Sequence, residues 1–379
     1  MAESSEKKPV RVYIDGCFDM VHFGHANAIR QAKQLGDHLT VGVHCDEEIT
    51  KHKGPPVYTE QERYTLIRAI KWVDEVKEAA PYFCSMELLD ENNLDFVAHG
   101  DDVTVSAATG VDVYDHMKKS GRYKEFNRTT GVSTTDIVGR MLLLTKAHHQ
   151  YSEDNLNKDE VGEIGQTQRE RIDSFSKEPM DNSTKSPYTG TSQFLATSKK
   201  IIQFSSGKDP KPGDRIVYVA GAFDLLHVGH VNFLEAASKK GDFLIVGLHT
   251  DLIVNRYKGS NYPIMNLNER VLSILSCKFV SEVVIGAPYT VTQQMMDHFS
   301  IDLVCHGITK ISPDIDGIDP YEIPKKADKF LMIQSNSTLT TEMVVERIIR
   351  HRLDFETRNR IKQEREVQKI NEKKMLDEQ

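Results

Sequence analysis

VYIDGCFDMVHFGHANAIRQAKQLGDHLTVGVHCD, residues 12–46, returns as VYVAGAFDLLHVGHVNFLEAASKKGDFLIVGLHTD at residues 217–251, a constant offset of 205 (217 − 12). DFVAHG, residues 95–100, returns as DLVCHG, residues 302–307, at an offset of 207 (302 − 95), so the second copy gained two residues between the blocks. A period this long marks a duplicated domain and not a solenoid of short repeats. Within each copy an apolar strand (10–14; 216–219) enters a glycine-containing loop, then a helix that stops at Gly36 or Gly241, then a β-rich strand (38–44; 243–249). Strand, helix and strand at that length form a right-handed βαβ unit. The alternation continues, which predicts an α/β protein of two tandem doubly wound, mostly parallel, Rossmann-like domains that bind ligands beyond the carboxyl ends of their strands.

The boundaries follow from composition. Residues 1–9 are polar and lysine-bearing without an apolar core, which predicts a disordered start and no signal peptide. The first domain is expected over 10–150 and the second over 215–353. Between them, 151–214 is rich in Ser, Lys, Asp, Gly and Pro and reads as linker, with enough apolar residues in 192–204 to dock on a domain. Residues 354–379 are a charged tail without the broad apolar face of a membrane-seeking helix.

Of the 379 residues, 39% are apolar and 27% charged, and no apolar run nears the roughly 18 residues of a membrane span. No transmembrane segment is expected. A net charge of −8 argues against nucleic acid as a partner, since a phosphate backbone rewards surplus Lys and Arg. Cys17, Cys45, Cys84, Cys277 and Cys305 form no C-x-x-C pair, so neither a zinc site nor a disulfide framework is expected. Phosphate chemistry, if present, must rest on local positive groups.

Such groups cluster at DGCFDMVHFGH, residues 15–25, where His22 and His25 stand at a strand-end loop turning into a helix. Helix starts present unpaired N–H groups and a partial positive charge, Gly24 lets backbone approach a phosphate, and two imidazoles can donate to oxygens on phosphorus. Two histidines near a helix start can also be plain caps, but the recurrence as His227 and His230 in the same setting makes capping alone a poor account. Lys53-Gly54 precedes ERY at 62–64, and Lys258-Gly259 precedes NER at 268–270. A lysine beside glycine can bring a mobile charge to a triphosphate, and an arginine such as Arg63 can grip it bidentately. RTTGVSTTD, residues 128–136, starts another helix, with Ser133 and Asp136 at capping-box spacing and Arg128 just ahead. Two facing phosphate-binding helix starts, with no Ser-His-Asp or Cys-His order, favour direct displacement at phosphorus over a covalent intermediate.

HFGH with KG, ERY and RTTGVSTTD at these separations resembles the cytidylyltransferases of the H-x-G-H nucleotidyltransferase superfamily, and the tandem second copy resembles the members acting on phosphoethanolamine. That resemblance implies transfer of the cytidylyl group of CTP to phosphoethanolamine, with release of pyrophosphate, for phosphatidylethanolamine synthesis. It implies catalytic roles for His22, His25, Lys53 and Arg128 at the reacting phosphates, and nucleotide contacts from Gly16, Cys17, Phe18, Gly24, Arg63, Ser133, Thr134 and Thr135. Mg²⁺ is expected to enter on the CTP, held by phosphates and water. Asp15, Tyr82, Asp101 and Asp102 are the candidates for the acceptor: a primary ammonium suits carboxylates, whereas a quaternary amine prefers aromatic faces. Phosphocholine or glycerol-3-phosphate as acceptor, or a non-catalytic nucleotide-sensing scaffold, remain as alternatives. A homodimer is expected, in the cytoplasm and peripheral to the endoplasmic reticulum.

The second copy departs from the first. Ala220 replaces Asp15, Ile308 and Thr309 replace Asp101 and Asp102, and the third motif reads QSNSTLTTE at 334–342, leaving Arg128, Gly131 and Ser133 without counterparts. Gly221, Ala222, Phe223, His227, Gly229, His230, Lys258, His306, Gly307, Ile308, Thr309, Ser337, Thr338, Leu339, Thr340 and Thr341 are read as a second nucleotide site that binds without efficient turnover.

Overall fold

The computed structural model describes residues 8–101, 112–129, 132–142, 200–351 and 353. Residues 1–7 of the expected N-terminal stretch 1–9, residues 143–150 at the end of the expected first domain, residues 151–199 of the linker 151–214, the tail from 354 and the candidate Asp102 lie outside the described residues. In the first half β1 (Arg11–Gly16), α1 (Phe23–Lys33), β2 (His38–Val43), α2 (Asp46–Lys53), α3 (Glu60–Arg68), β3 (Glu75–Lys77), α4 (Met86–Glu91), β4 (Phe96–Gly100), α5 (Asp115–Lys119), β5 (Tyr123–Phe126) and α6 (Thr134–Leu142) follow in order. The second half repeats the series as β6 (Ile216–Gly221), α7 (Val228–Ser238), β7 (Phe243–Leu248), α8 (Asp251–Lys258), α9 (Leu267–Leu275), β8 (Glu282–Ile285), α10 (Gln293–His298), β9 (Leu303–Gly307), α11 (Glu322–Lys326), β10 (Phe330–Ile333) and α12 (Thr341–Arg350).

Each half forms a five-stranded sheet, in the orders β3-β2-β1-β4-β5 and β10-β9-β6-β7-β8, with every pair parallel. Parallel strands are covered on both faces, so β2 (HLTVGV) and β7 (FLIVGL) are almost continuously apolar and buried. The strand order reverses direction between β1 and β4 and between β6 and β9. That switch point opens a crevice at the carboxyl ends of the central strands, and it is where each H-x-G-H loop begins. The expected fold class is the observed one.

The halves meet about a pseudo-twofold axis. Ile70 pairs with Cys277 in an antiparallel bridge, flanked by the Lys71 N–H donating to Ser276 O (2.9 Å) and the Lys278 N–H to Ala69 O (2.8 Å). All three positions are related by the repeat offset of 207, so equivalent backbone meets itself across the interface. Two arginine clamps obey the same symmetry. Arg140 of α6 donates to both carboxylate oxygens of Glu269 (2.7 and 2.9 Å), and Arg347 of α12 to both of Glu62 (2.7 and 2.9 Å). Each glutamate also closes the capping box at the start of its own helix, with Thr59 for α3 and Asn266 for α9. A helical turn at 200–204 packs on the first half, its buried Phe204 edge-on to Trp72 at 5.0 Å and its carbonyl accepting from Lys71 Nζ.

Candidate active site

The loop after β1 is wound tightly enough to place Phe18 and Met20 at φ 49, a left-handed conformation that costs non-glycine residues energy. Buried Asp19 holds it, accepting from the Val57 and Tyr58 N–H groups (2.9 Å each). The turn delivers His22 as the N-cap of α1 and His25 one turn on. Their rings stack at 3.9 Å between centroids. A β-carbon on Gly24 would lie 2.9 Å from the His22 ring and from Val132, so only glycine permits this approach of α1 to the start of α6.

Hydrogen bonds fix the tautomers. The Gly24 N–H donates to His22 Nδ1 (3.1 Å) and the His22 N–H to His25 Nδ1 (3.4 Å), so both neutral rings carry their proton on Nε2. Burial, then the charges of Arg128 and Lys53, push His25 down to about 3. His25 is therefore a neutral donor at pH 7. Lys53 ends α2 before Gly54, whose φ of 88 lets the chain turn away. Its ammonium lies 5.8 Å from the Tyr82 ring, and its field acts on both His25 and Asp15. Facing this cradle is the start of α6, where Ser133 Oγ accepts from the Asp136 N–H (3.2 Å) and Thr134 Oγ1 donates to Asp19 O (3.0 Å).

A second pocket lies at the end of β1. Asp15 accepts from Tyr114 Oη (3.1 Å) on Oδ1, while its Oδ2 is shielded from solvent and has no hydrogen-bond partner. Burial raises its pKa, opposed by the nearby His44 and His99. Tyr82 stacks on His52 at 4.0 Å and lies 5.1 Å from the His44 ring, and His99 lies 4.9 Å from Tyr114.

Two expectations are corrected. Arg63 is 0% exposed and donates to Cys17 O (2.8 Å), His44 O (2.7 Å), Tyr58 O (3.2 Å) and Asp46 (2.8 Å). It braces the loop from beneath, with four of its five N–H donors spent there, and with no exposed surface it cannot reach out to grip a triphosphate. Asp101 is exposed, and its Oδ1 accepts from the Arg128 N–H (2.9 Å), so it also aims the Arg128 loop. In the second half Thr341 Oγ1 donates to Asp224 O (3.2 Å), as Thr134 does to Asp19, and Thr340 caps α12 as Ser133 caps α6. Ser133 therefore has a counterpart after all, and the pair Thr340–Thr341 stands for Ser133–Thr134. Of the other second-half candidates, His227 and His230 stack at 3.7 Å, and His306 stands by Tyr321 at 5.1 Å. Ile308 is 63% exposed and Ala220 offers no acceptor where Asp15 stands.

Sequence reasoning passed over His44, His99, Tyr114, Asn27 and Asp19. His99 and Tyr114 recur as His306 and Tyr321 at the 207 offset, so the repeat itself carried the signal. Buried Asn27 donates to Thr129 Oγ1 (2.9 Å) and so ties α1 to the Arg128 loop.

A parallel sheet with an H-x-G-H cradle at its switch point is the architecture of the cytidylyltransferase-like family, whose model matches residues 13–140 and 218–352, and the chain belongs to that family. Mouse ethanolamine-phosphate cytidylyltransferase is 54% identical over 96% of this chain and 91% of its own length. The Dictyostelium discoideum ethanolamine-phosphate cytidylyltransferase is 51% identical over 97% of this chain and 98% of its own. Arabidopsis thaliana choline-phosphate cytidylyltransferase 2 is 45% identical but spans 45% of this chain. Within the family, then, the chain belongs with the ethanolamine-phosphate cytidylyltransferases. No helix among the described residues is long and apolar enough to cross a membrane.

Proposed function

We infer that this chain transfers the cytidylyl group of CTP to phosphoethanolamine, giving CDP-ethanolamine and pyrophosphate for phosphatidylethanolamine synthesis in the cytoplasm. The observation that carries the reading is the division of the first cleft into two poles: a cationic phosphate cradle, and beside it the half-buried Asp15 carboxylate with one solvent-shielded oxygen unpartnered. A zwitterion with a phosphate at one end and an ammonium at the other matches both.

An oxygen of the acceptor phosphate attacks the α-phosphorus of CTP. The new P–O bond forms as the bond to the bridging oxygen of the β-phosphate breaks, and that electron pair leaves with pyrophosphate. A phosphate monoester, with a second pKa near about 6, is mostly dianionic at neutral pH, so positioning and charge stabilisation replace a general base. The Nε2–H groups of His22 and His25 supply donors to phosphate oxygens, and Lys53 and Arg128 offset the developing charge. Mg²⁺ is proposed to arrive on the triphosphate, held by phosphate oxygens and water; no trio of His, Cys, Asp or Glu among the described residues is grouped to hold a metal. At the amine pole a primary ammonium offers three N–H donors to Asp15, whereas a quaternary amine offers none. Incubation with Mg·CTP and phosphoethanolamine should yield CDP-ethanolamine and pyrophosphate in equal amounts, and absence of both products overturns the reading.

A further inference from the structure

Asp15 pairs with Gly42 across β1 and β2, and side chains alternate along a strand, so His44, two residues beyond Gly42, shares the sheet face of Asp15. The His44 ring is 4% exposed, and its Nδ1 lies 3.1 Å from Ala80 O, the ring's one hydrogen bond among the described residues. A carbonyl only accepts, so Nδ1 carries the proton. Burial pushes the ring below its ordinary 6.5 against the opposing charge of Asp15, so it is neutral at pH 7 and Nε2 keeps a bare lone pair. His22 and His25 are held the other way round, with Nδ1 accepting and Nε2 donating. One cleft therefore holds both tautomers: imidazole donors at the phosphate pole, and an imidazole acceptor beside Asp15. The repeat fixes the reversed tautomer again, with His249 Nδ1 3.1 Å from Ala287 O, so the backbone of the fold sets it. Tyr82 lies 5.1 Å from the His44 ring, and the shielded Asp15 Oδ2 has no partner.

We propose that His44 is a specificity residue for the acceptor, its Nε2 lone pair and Asp15 Oδ2 each taking one N–H of a primary ammonium. A carboxylate alone discriminates poorly, because its charge attracts any ammonium, methylated or not. A neutral lone pair adds no such attraction and rewards only an N–H. The primary ammonium brings three donors, its N-methyl form two, its N,N-dimethyl form one and the quaternary form none. Two acceptors are thus filled by the first two amines. The N,N-dimethyl form leaves one acceptor unpaired and the quaternary form leaves both. All four carry one positive charge, so counting methyl groups separates hydrogen bonding from charge.

The proposal rests on the reading that the first cleft turns over phosphoethanolamine, and one acceptor series separates the two. With Mg·CTP saturating, kcat/KM is measured on the full chain for phosphoethanolamine, its N-methyl and N,N-dimethyl derivatives and phosphocholine. The wild type should change little at the first methyl and fall at least about fivefold at the second and again at the third. His44→Phe keeps a ring of similar size without nitrogen. It should raise the KM for phosphoethanolamine, leave that for CTP unchanged, and lose the fall at the second methyl while keeping the one at the third. A ring that only packs lowers all four acceptors together and does not move the step. His44→Leu carries the same comparison should His44→Phe fail to fold. A fall at the second methyl of equal size in wild type and variant overturns the proposal and leaves the functional reading standing, as does a wild type with no fall there. A wild type that turns over none of the four acceptors sinks the functional reading and the proposal with it.

Discussion

Replacing Glu269 by Ala should be among the most damaging single changes outside the first cleft. Arg140 and Glu269 are each 9% exposed and joined by two hydrogen bonds of 2.7 and 2.9 Å, and Arg140 also accepts from Asn261 Nδ2 at its carbonyl (3.1 Å). Removing the carboxylate strands a buried guanidinium, which costs about 3–5 kcal/mol, and it also opens the capping box of α9. At about 2–4 °C per kcal/mol for a unit of this size, the melting temperature should fall by roughly 6–20 °C. The symmetry mate provides the internal control. Arg347 is 30% and Glu62 17% exposed, so a stranded Arg347 can hydrate, and Glu62→Ala should cost only on the order of 1–2 kcal/mol. Arg140→Met with Glu269→Met should recover most of the loss, since apolar groups of similar volume replace a buried pair at little cost. Arg140 also anchors α6, whose first turn faces the histidines, so Glu269→Ala should raise the KM for CTP. Thermal unfolding of the three variants decides the matter. Equal losses for Glu269→Ala and Glu62→Ala, or no recovery in the double variant, would refute the reasoning.

His25→Ala should leave the protein folded, with at most about 1–2 kcal/mol lost from the opened capping box, and lower product formation at least about a hundredfold, the scale for deleting one transition-state donor; near-normal turnover would remove His25 from the mechanism. Asp15→Asn should raise the KM for phosphoethanolamine more than that for CTP, and equal effects on both substrates would make Asp15 a structural residue of the sheet edge. Burial pushes His25 down to about 3 and His227 and His249 to about 4, from an ordinary 6.5. Between those folded values and 6.5 the unfolded chain binds more protons than the folded one, so stability should decline as pH falls from about 6.5 toward 4. A melting temperature flat across that window would contradict neutral buried imidazoles.

The duplication made most of this fold legible, because a βαβ pattern seen twice is hard to mistake and the histidines recur inside it. What stayed hidden were residues whose role depends on what surrounds them. Arg63 and Arg270 read as candidate phosphate grips in ERY and NER, yet both are 0% exposed and bind backbone carbonyls. Nothing in a local motif distinguishes an arginine that grips a ligand from one that grips backbone. Asp101 sits after a sheet strand, as an acceptor-binding acid would, and its second role, an oxygen that braces the Arg128 N–H, shows only in the packed loop. The clamps Arg140–Glu269 and Arg347–Glu62 span 129 and 285 residues and follow only from the pseudo-twofold packing. The register of Thr340 and Thr341 was ambiguous because TT occurs in both copies, and the bond from Thr341 to Asp224 resolves it.

The central claim is that the Asp15 pole beside the phosphate cradle selects a primary ammonium. The most direct measurement is the ratio of kcat/KM for phosphoethanolamine to that for phosphocholine, with Mg·CTP saturating, in the wild type and in Asp15→Asn. The account predicts a wild-type ratio of about five to a hundred and fifty, since a shielded acceptor left unpaired costs about 1–3 kcal/mol, and a ratio pulled toward one in Asp15→Asn. A wild-type ratio near one, or a preference unchanged by Asp15→Asn, would contradict it.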